Sequence, residues 1–190
     1  MSLTAHAETR PVAGTSTSVL SQTLWTVGFA VAMVLAARFE IPNYPVPFTL
    51  QTMVVLLAGA FLGSRNGAFS QMLYLGAGLL GLPVFAGGAF GLLQLAGPTG
   101  GYLLAFPVAA ALVGYLLRER HSFRIVLLSM AAGLFVIFAV GTVHLYAFVL
   151  RDANAAFTAG FLIFSWWDVL KLGAASMIYF ELAKRWPRLG

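Results

Sequence analysis

The sequence predicts an all-α membrane protein, a bundle of about six transmembrane helices with irregular outer loops that line a pocket. The chain is 60% hydrophobic and 9% charged, and its mean hydropathy of +0.89 lies outside the range of soluble globular domains. Its 190 residues accommodate about six apolar runs of roughly twenty residues. The basic residues flank these runs instead of forming a patch, which favours membrane lipid over nucleic acid as a partner.

The chain begins with a polar segment rich in Ser, Thr and Ala. We expect residues 1–18 to form a flexible cytoplasmic tail and residues 19–190 to form a single transmembrane domain. The segment lacks the charged start and the cleavage site of a secretory signal. The first helix is therefore expected to remain in the mature protein.

A stripe of small residues marks the first predicted helix, Val19–Phe39. Gly28, Ala32 and Ala36 are spaced four apart, which lets another helix approach closely. The stripe is explained equally well by packing inside the same bundle and by docking on a different membrane subunit.

Three of the five segments between the predicted helices have a distinctive composition. Glu40–Phe48 contains three prolines and cannot be helical throughout, and Gly63–Gly67 is a tight turn. Pro83–Gly101 is apolar but rich in glycine, so we expect it to be buried in protein or to line a cavity. The predicted helices are Thr49–Leu62, Ala68–Leu82, Tyr102–Leu117, Ile125–Phe148 and Thr158–Leu182.

The distribution of basic residues predicts the orientation in the cytoplasmic membrane. One side carries Arg65, Arg118, Arg120, Arg124, Lys184, Arg185 and Arg188. The other side carries Arg38 and Arg151, each beside an acidic residue. The positive-inside rule therefore places both termini in the cytoplasm and the proline-rich and glycine-rich segments outside.

Two charged residues interrupt the last apolar run. Asp168 and Lys171 lie three residues apart and share one helix face. A charge at the bilayer centre costs about 2.5–3.5 kcal/mol on insertion scales, so such residues are normally paired and face the protein interior. The pair is either a ligand or proton site, which we favour, or a structural ion pair between helices.

Further candidate ligand contacts are polar or aromatic side chains and backbone amides near the predicted outer ends of helices. The N–H groups at the start of the fourth helix could hold a carboxylate, although its glycines could equally serve a compact turn. The candidates are Phe48, Gln51, Gln94, Thr99, Gly100, Gly101, Tyr102 and Tyr146.

Several functional classes are excluded by what the sequence lacks. There is no cysteine, no nucleotide-binding phosphate loop and no histidine cluster that would bind a metal ion. Of the six acidic residues only one lies in a predicted membrane interior, so paired-carboxylate chemistry there has no second carboxylate. We therefore expect no enzymatic activity, no metal site and no cofactor.

Five motifs occur in order along the chain. They are Val46-Pro-Phe-Thr-Leu-Gln51, Leu57-Ala-Gly-x-x-Leu-Gly63, Gly81-Leu-Pro-Val-Phe-Ala-Gly-Gly88, Gly97-Pro-Thr-Gly-Gly-Tyr-Leu103 and Asp168-x-x-Lys171. In combination they resemble the BioY family, the biotin-specific substrate-binding S components of energy-coupling-factor (ECF) vitamin transporters. The resemblance covers nearly the whole chain after the tail.

This resemblance implies a six-helix bundle that captures biotin from outside, energised by a separate transmembrane coupling subunit and two ATPase subunits. It implies that Asp168 and Lys171 contact the vitamin and that Ala32 and Ala36 dock on the coupling subunit. Some relatives carry a binding Asn near the glycine-rich loop, and here Gln94 is the candidate substitute.

The resemblance leaves the pose of biotin and three alternative functions open. Asp168 and Lys171 suit the ureido ring, but Lys171 could instead bind the carboxylate in the opposite pose. The alternatives are an S component for a different vitamin, a small membrane-embedded enzyme that uses the pair as acid and base, and a structural assembly protein.

Overall fold

The computed structural model describes residues 18–118, 122–162 and 165–183, except the side chain of Ser165, and these form a helical bundle. The tail predicted for residues 1–18 lies outside the described residues apart from Ser18, and so do the basic residues Arg120, Lys184, Arg185 and Arg188. The helices are α1 (Val19–Arg38), α2 (Gln51–Leu79), α3 (Leu92–Ala96), α4 (Gly100–Leu116), α5 (Phe123–His144), α6 (Ala153–Phe157) and α7 (Ser165–Leu182).

Helix α2 is a hairpin of two arms that meet at Gly63. This glycine has φ 78° and ψ −177°, a conformation that only glycine adopts readily. The arms pack closely, since a Cβ on Gly67 would lie 3.0 Å from the Gly59 Cα. Gln51 Nε2 also donates to the Tyr74 hydroxyl at 2.7 Å, although a straight helix would separate these residues by roughly 35 Å. The second and third predicted helices are therefore the two arms.

Six helical rods result, which confirms the predicted bundle of about six membrane helices. They are α1, the two arms of α2, α4, α5 and the stretch that contains α6 and α7. By length and composition alone, four stretches could cross a membrane: Val19–Arg38, Gln51–Leu79, Phe123–Leu150 and Ala153–Leu182. The last of these includes residues 163 and 164, which lie outside the described part of the chain. Helix α4 is apolar but shorter.

The irregular segments contain more structure than predicted. The strands β1 (Glu40–Ile41) and β2 (Phe48–Thr49) pair antiparallel on either side of the prolines, which cannot donate to a ladder. Pro83–Gly101, predicted to be irregular, contains the 3₁₀ turn Ala86–Gly88 and helix α3.

Several predicted helices have different ends. The fifth, predicted as Ile125–Phe148, is α5 followed by the π-helical turn Leu145–Leu150. The fourth begins at Gly100, not at Tyr102, because the turn at Gly97–Gly100 leads directly into it. The last was predicted as one helix, Thr158–Leu182, but α6 and the π-helical turn Thr158–Leu162 precede α7.

Small residues bring α4 against the α2 hairpin at the centre of the bundle. A Cβ on Gly59 would clash with the Ala110 carbonyl oxygen, and a Cβ on Gly114 would clash with the backbone at Gly63. Without water to drive helices together, membrane bundles rely on such close backbone packing. The outer surface of the bundle exposes large apolar side chains such as Leu24, as expected for contact with lipid.

The small-residue stripe of α1 turns from an open face to a buried one. A Cβ on Gly28 would meet nothing within 4 Å, Ala32 is half-buried, and Ala36 is only 4% exposed. The cause is geometric, because each step of four residues rotates about 40° around a helix with 3.6 residues per turn. Ala36 therefore packs inside the bundle, whereas Gly28 faces outward.

Candidate functional site

A cavity of about 50 Å³ lies where β2, the start of α2, the loop 83–99, α4, α5 and α7 converge. Its polar lining residues are Thr49, Gln51, Thr52, Gln94, Thr99, Asp168 and Lys171. The volume is sufficient for only a few water molecules, so a larger ligand must displace side chains or loops of the lining.

Asp168 and Lys171 form a buried ion pair at this cavity. Lys171 Nζ lies 2.6 Å from Asp168 Oδ1, and the two side chains are 6% and 2% exposed. Helix α7 supplies both residues, and three-residue spacing places them on one face, as predicted. Because each charge neutralises the other, the pair is tolerated inside an otherwise apolar bundle.

The hydrogen bonds of this pair are unevenly distributed. Lys171 Nζ also donates to the Thr49 carbonyl oxygen and to Thr52 Oγ1, both at 2.8 Å. An ammonium group has three donors, so all three are used within the protein. Asp168 Oδ1 accepts from both Lys171 and Thr52, whereas Oδ2 is buried and has no hydrogen-bond partner among the described residues.

Gln51 links the polar end of the cavity to the loop that covers it. Its Nε2 donates to the Tyr74 hydroxyl, which in turn donates to the Val84 carbonyl oxygen at 3.2 Å. Its Oε1 accepts from the Thr49 hydroxyl at 3.1 Å. Gln51 therefore connects β2 to both arms of the α2 hairpin and, through Tyr74, to the loop 83–99.

Gln94 and Thr99 come from the two ends of the turn between α3 and α4. Gln94 Nε2 donates to Thr99 Oγ1 at 2.8 Å. His144 Nε2 lies 3.1 Å from the Gly97 carbonyl oxygen and so attaches this turn to α5. The Arg38 guanidinium donates to the Pro83 carbonyl oxygen and anchors the other end of the loop to α1.

Aromatic side chains form much of the apolar wall. Phe85 is fully buried, and Tyr102 and Phe138 meet edge to face with ring centroids 6.4 Å apart. The Tyr102 hydroxyl donates to the Gly160 carbonyl oxygen at 2.8 Å, which fixes the ring. Phe106 completes this wall.

The structure brings six of the ten predicted ligand contacts together in the cavity lining: Gln51, Gln94, Thr99, Tyr102, Asp168 and Lys171. It does not place the other four in the lining. Gly100 and Gly101 are packing positions, because a Cβ would clash with the Leu95 carbonyl oxygen and with the His144 side chain respectively. Phe48 alternates with the lining residues Pro47 and Thr49 and packs on the core, and Tyr146 is 48% exposed.

Among the lining residues, sequence reasoning missed Thr49, Thr52, Phe106 and Phe138. The available signal for Thr52 was its position, since it follows the Val46–Gln51 motif as a second polar residue at the head of an apolar helix. Phe106 and Phe138 gave no signal, because the chain contains 16 phenylalanines and sequence alone does not distinguish a pocket wall from a lipid-facing side chain. Within the described ranges, no group of three or more His, Asp or Glu side chains could hold a metal ion.

Comparison with known proteins gives consistent matches. The model of the BioY family matches residues 8–188. "Biotin transporter BioY" from Thermotoga maritima is 40% identical over 156 residues, which cover 82% of this chain and 92% of that protein. "Probable biotin transporter BioY" from Pyrococcus horikoshii is 39% identical over 79% of this chain and 88% of its own length.

A solved structure has the same fold. The crystal structure of "the S-component for biotin from an ECF-type ABC transporter" matches with a TM-score of 0.83 and 25% identity, covering 90% of this chain and 95% of that chain. A family match over nearly the full length, close relatives and a shared fold therefore agree. The chain belongs to the BioY family.

Proposed function

We propose that this protein is the S component of an ECF-type transporter and captures biotin for uptake. The observation that carries the proposal is the unpartnered Asp168 Oδ2 in a largely apolar cavity, in a member of a family whose named relatives are biotin transporters. The function is transport, not catalysis, and it needs no cofactor beyond biotin as the transported ligand.

The hydrogen bonds of the ion pair favour one pose of the ligand. Biotin carries N–H donors on its ureido ring at one end and a carboxylate at the other. Because Lys171 has no free donor and Asp168 Oδ2 can only accept, this end of the cavity suits a donor and disfavours an anion. The N–H side of the ureido ring therefore lies against Asp168, and the fused ring system of biotin packs against Phe85, Tyr102 and Phe138.

The proposed polar contacts for the remaining groups of biotin are Gln51, Gln94 and Thr99. The Gln94 amide and the Thr99 hydroxyl already bond one another, so their donors and acceptors are oriented together at one place in the lining. Both belong to the loop that is proposed to face the outside, which suits the carboxylate end of biotin.

The described charges support the proposed orientation. Arg65 and Arg118 line one groove with Gly63, at the end of the bundle where the α2 hairpin turns. Arg38 lies at the other end, bonded to the loop that covers the cavity. The positive-inside rule then places the hairpin turn and both termini in the cytoplasm, with the cavity opening outward. Lipid would contact the exposed apolar faces, and no nucleic acid is involved.

The ECF structural match implies association with other transporter subunits. The sequence contains no phosphate loop for ATP, so energy must come from separate ATPase subunits through a transmembrane coupling subunit. We assign docking on that subunit to the outward part of the α1 stripe, Gly28 and Ala32, because Ala36 is buried in the bundle.

A tryptophan at Gly28 should separate docking from biotin binding. Nothing lies within 4 Å of a Cβ at this position, so Gly28→Trp should leave biotin affinity unchanged and lower ATP-driven uptake at least about tenfold by blocking helix contact. Ala36→Trp is the comparison variant. Because Ala36 is buried, this substitution should overpack the bundle and lower the unfolding temperature. Loss of biotin binding by purified Gly28→Trp would contradict the docking assignment.

Calorimetric titration of biotin into the detergent-purified protein tests the function. We expect saturable binding of biotin, with no competition from other small vitamins. Competition by a different vitamin would reassign the substrate, and a folded protein that binds none of them would overturn the proposal.

A further inference from the structure

Thr52 is the polar lining residue that connects both members of the ion pair. It lies in the first turn of α2, whereas Asp168 and Lys171 belong to α7. Its hydroxyl is 3.0 Å from Asp168 Oδ1 and 2.8 Å from Lys171 Nζ. The hydroxyl is therefore the side-chain link between the start of α2 and the charged face of α7.

The direction of each hydrogen bond follows from the number of protons. An ammonium group can only donate, so the Thr52 oxygen accepts from Lys171. The single hydroxyl proton is then directed to Asp168 Oδ1, since a carboxylate can only accept. Thr52 thus accepts from one of the three donors of Lys171 and donates to one lone pair of Asp168 Oδ1.

We propose that Thr52 is a positioning residue that keeps Asp168 Oδ2 available for an N–H donor of the ligand. This inference rests on the proposed biotin function. By holding Oδ1 and the lysine together, the hydroxyl fixes the rotation of the carboxylate and prevents the ammonium from bridging both oxygens.

The consequence of losing the hydroxyl can be traced through the same bonds. In Thr52→Val, one Lys171 donor and one Asp168 lone pair lose their partner while the shape of the side chain is kept. The unpartnered Oδ2 belongs to the carboxylate that already contacts Lys171, so the released donor can satisfy it. The pair becomes internally satisfied, and the ligand loses its acceptor.

A purely structural link between α2 and α7 makes a different prediction. Removing such a link would lower stability, and it would weaken the binding of biotin and of all its analogues by a common factor. If Thr52 is a positioning residue, its substitution selectively removes the contribution of one ureido N–H. The two roles are therefore separable with ligands that lack that donor.

The experiment measures the affinity of wild type, Thr52→Val, Thr52→Ala and Thr52→Ser for biotin and for its two analogues methylated on one ureido nitrogen. Thr23→Val, on α1 outside the cavity, is the matched control. Thr52→Ala keeps the comparison intact if the valine variant does not fold, and the unfolding temperature of each variant is recorded.

We expect Thr52→Val to bind biotin at least about tenfold more weakly, as for loss of a hydrogen bond to a charged group, and Thr52→Ser to restore binding to within about threefold. One methyl analogue should lose at least about tenfold affinity for wild type and much less for Thr52→Val. Unchanged biotin affinity in Thr52→Val, or equal losses for all ligands, would overturn the positioning role. A wild type that does not bind biotin would overturn the proposed function instead.

Discussion

Asp168→Asn should weaken biotin binding at least about tenfold, and it should also lower stability because the buried Lys171 ammonium loses its counterion. The amide oxygen can still accept from Lys171 and Thr52, which hold Oδ1 in the wild type. The amide nitrogen then replaces Oδ2 and presents a donor where the ligand needs an acceptor. A hydrogen bond to a charged group contributes roughly 1.5–3 kcal/mol, which corresponds to tenfold or more in affinity. Calorimetric titration of the two proteins measures the difference.

Asp152→Asn is the matched control for this substitution. Asp152 caps α6, where its Oδ1 accepts from the Ala155 N–H at 2.6 Å, and it lies outside the cavity. Asn caps helices about as well as Asp, so this variant should bind biotin like the wild type. Equal affinity of wild type and folded Asp168→Asn would remove Asp168 from the ligand site.

Lys171→Met should destabilise the protein by about 3–5 kcal/mol, the usual effect of breaking a buried ion pair. The substitution leaves the Asp168 charge inside the bundle without its counterion and removes three donors at once. Reversible unfolding in detergent, followed by circular dichroism, measures the loss of unfolding free energy.

The double variant Asp168→Asn/Lys171→Met distinguishes charge burial from packing. It contains neither charge, so we expect it to recover much of the stability lost in Lys171→Met while still failing to bind biotin tightly. If the single and double variants were equally destabilised, the lost stability would come from the packing of the lysine chain and not from an unpaired charge.

Local sequence signals predicted the helices well and the loops less well. Long apolar runs and the glycine at position 63 were sufficient for the six rods, because membrane helices satisfy their own backbone hydrogen bonds. The strand pair beside Pro42, Pro45 and Pro47 and helix α3 were missed. Such short elements are stabilised by contacts with distant segments, which leave no periodic pattern in the sequence.

The glycines at the start of α4 show how one pattern supports two interpretations. The sequence allows Gly100 and Gly101 either to expose their amides to a carboxylate or to serve close packing, and in the structure a Cβ at these positions would clash with Leu95 and His144 respectively. Sequence alone shows that a side chain is absent at these positions. What fills the space depends on how α4 packs against α5 and against the turn after α3.

The order of the amino acids was sufficient to predict a membrane bundle with a charged pair on its last helix, and its motifs predicted the family. Composition, hydropathy and three-residue spacing are local properties, so they can be evaluated without knowing how the helices pack. The folded chain was needed to show that Thr52 joins Asp168 and Lys171, that the donors of Lys171 are all used, and that Asp168 Oδ2 has no partner among the described residues. These bonds connect residues 116 and 119 positions apart, and their geometry exists only once α2 and α7 are in register.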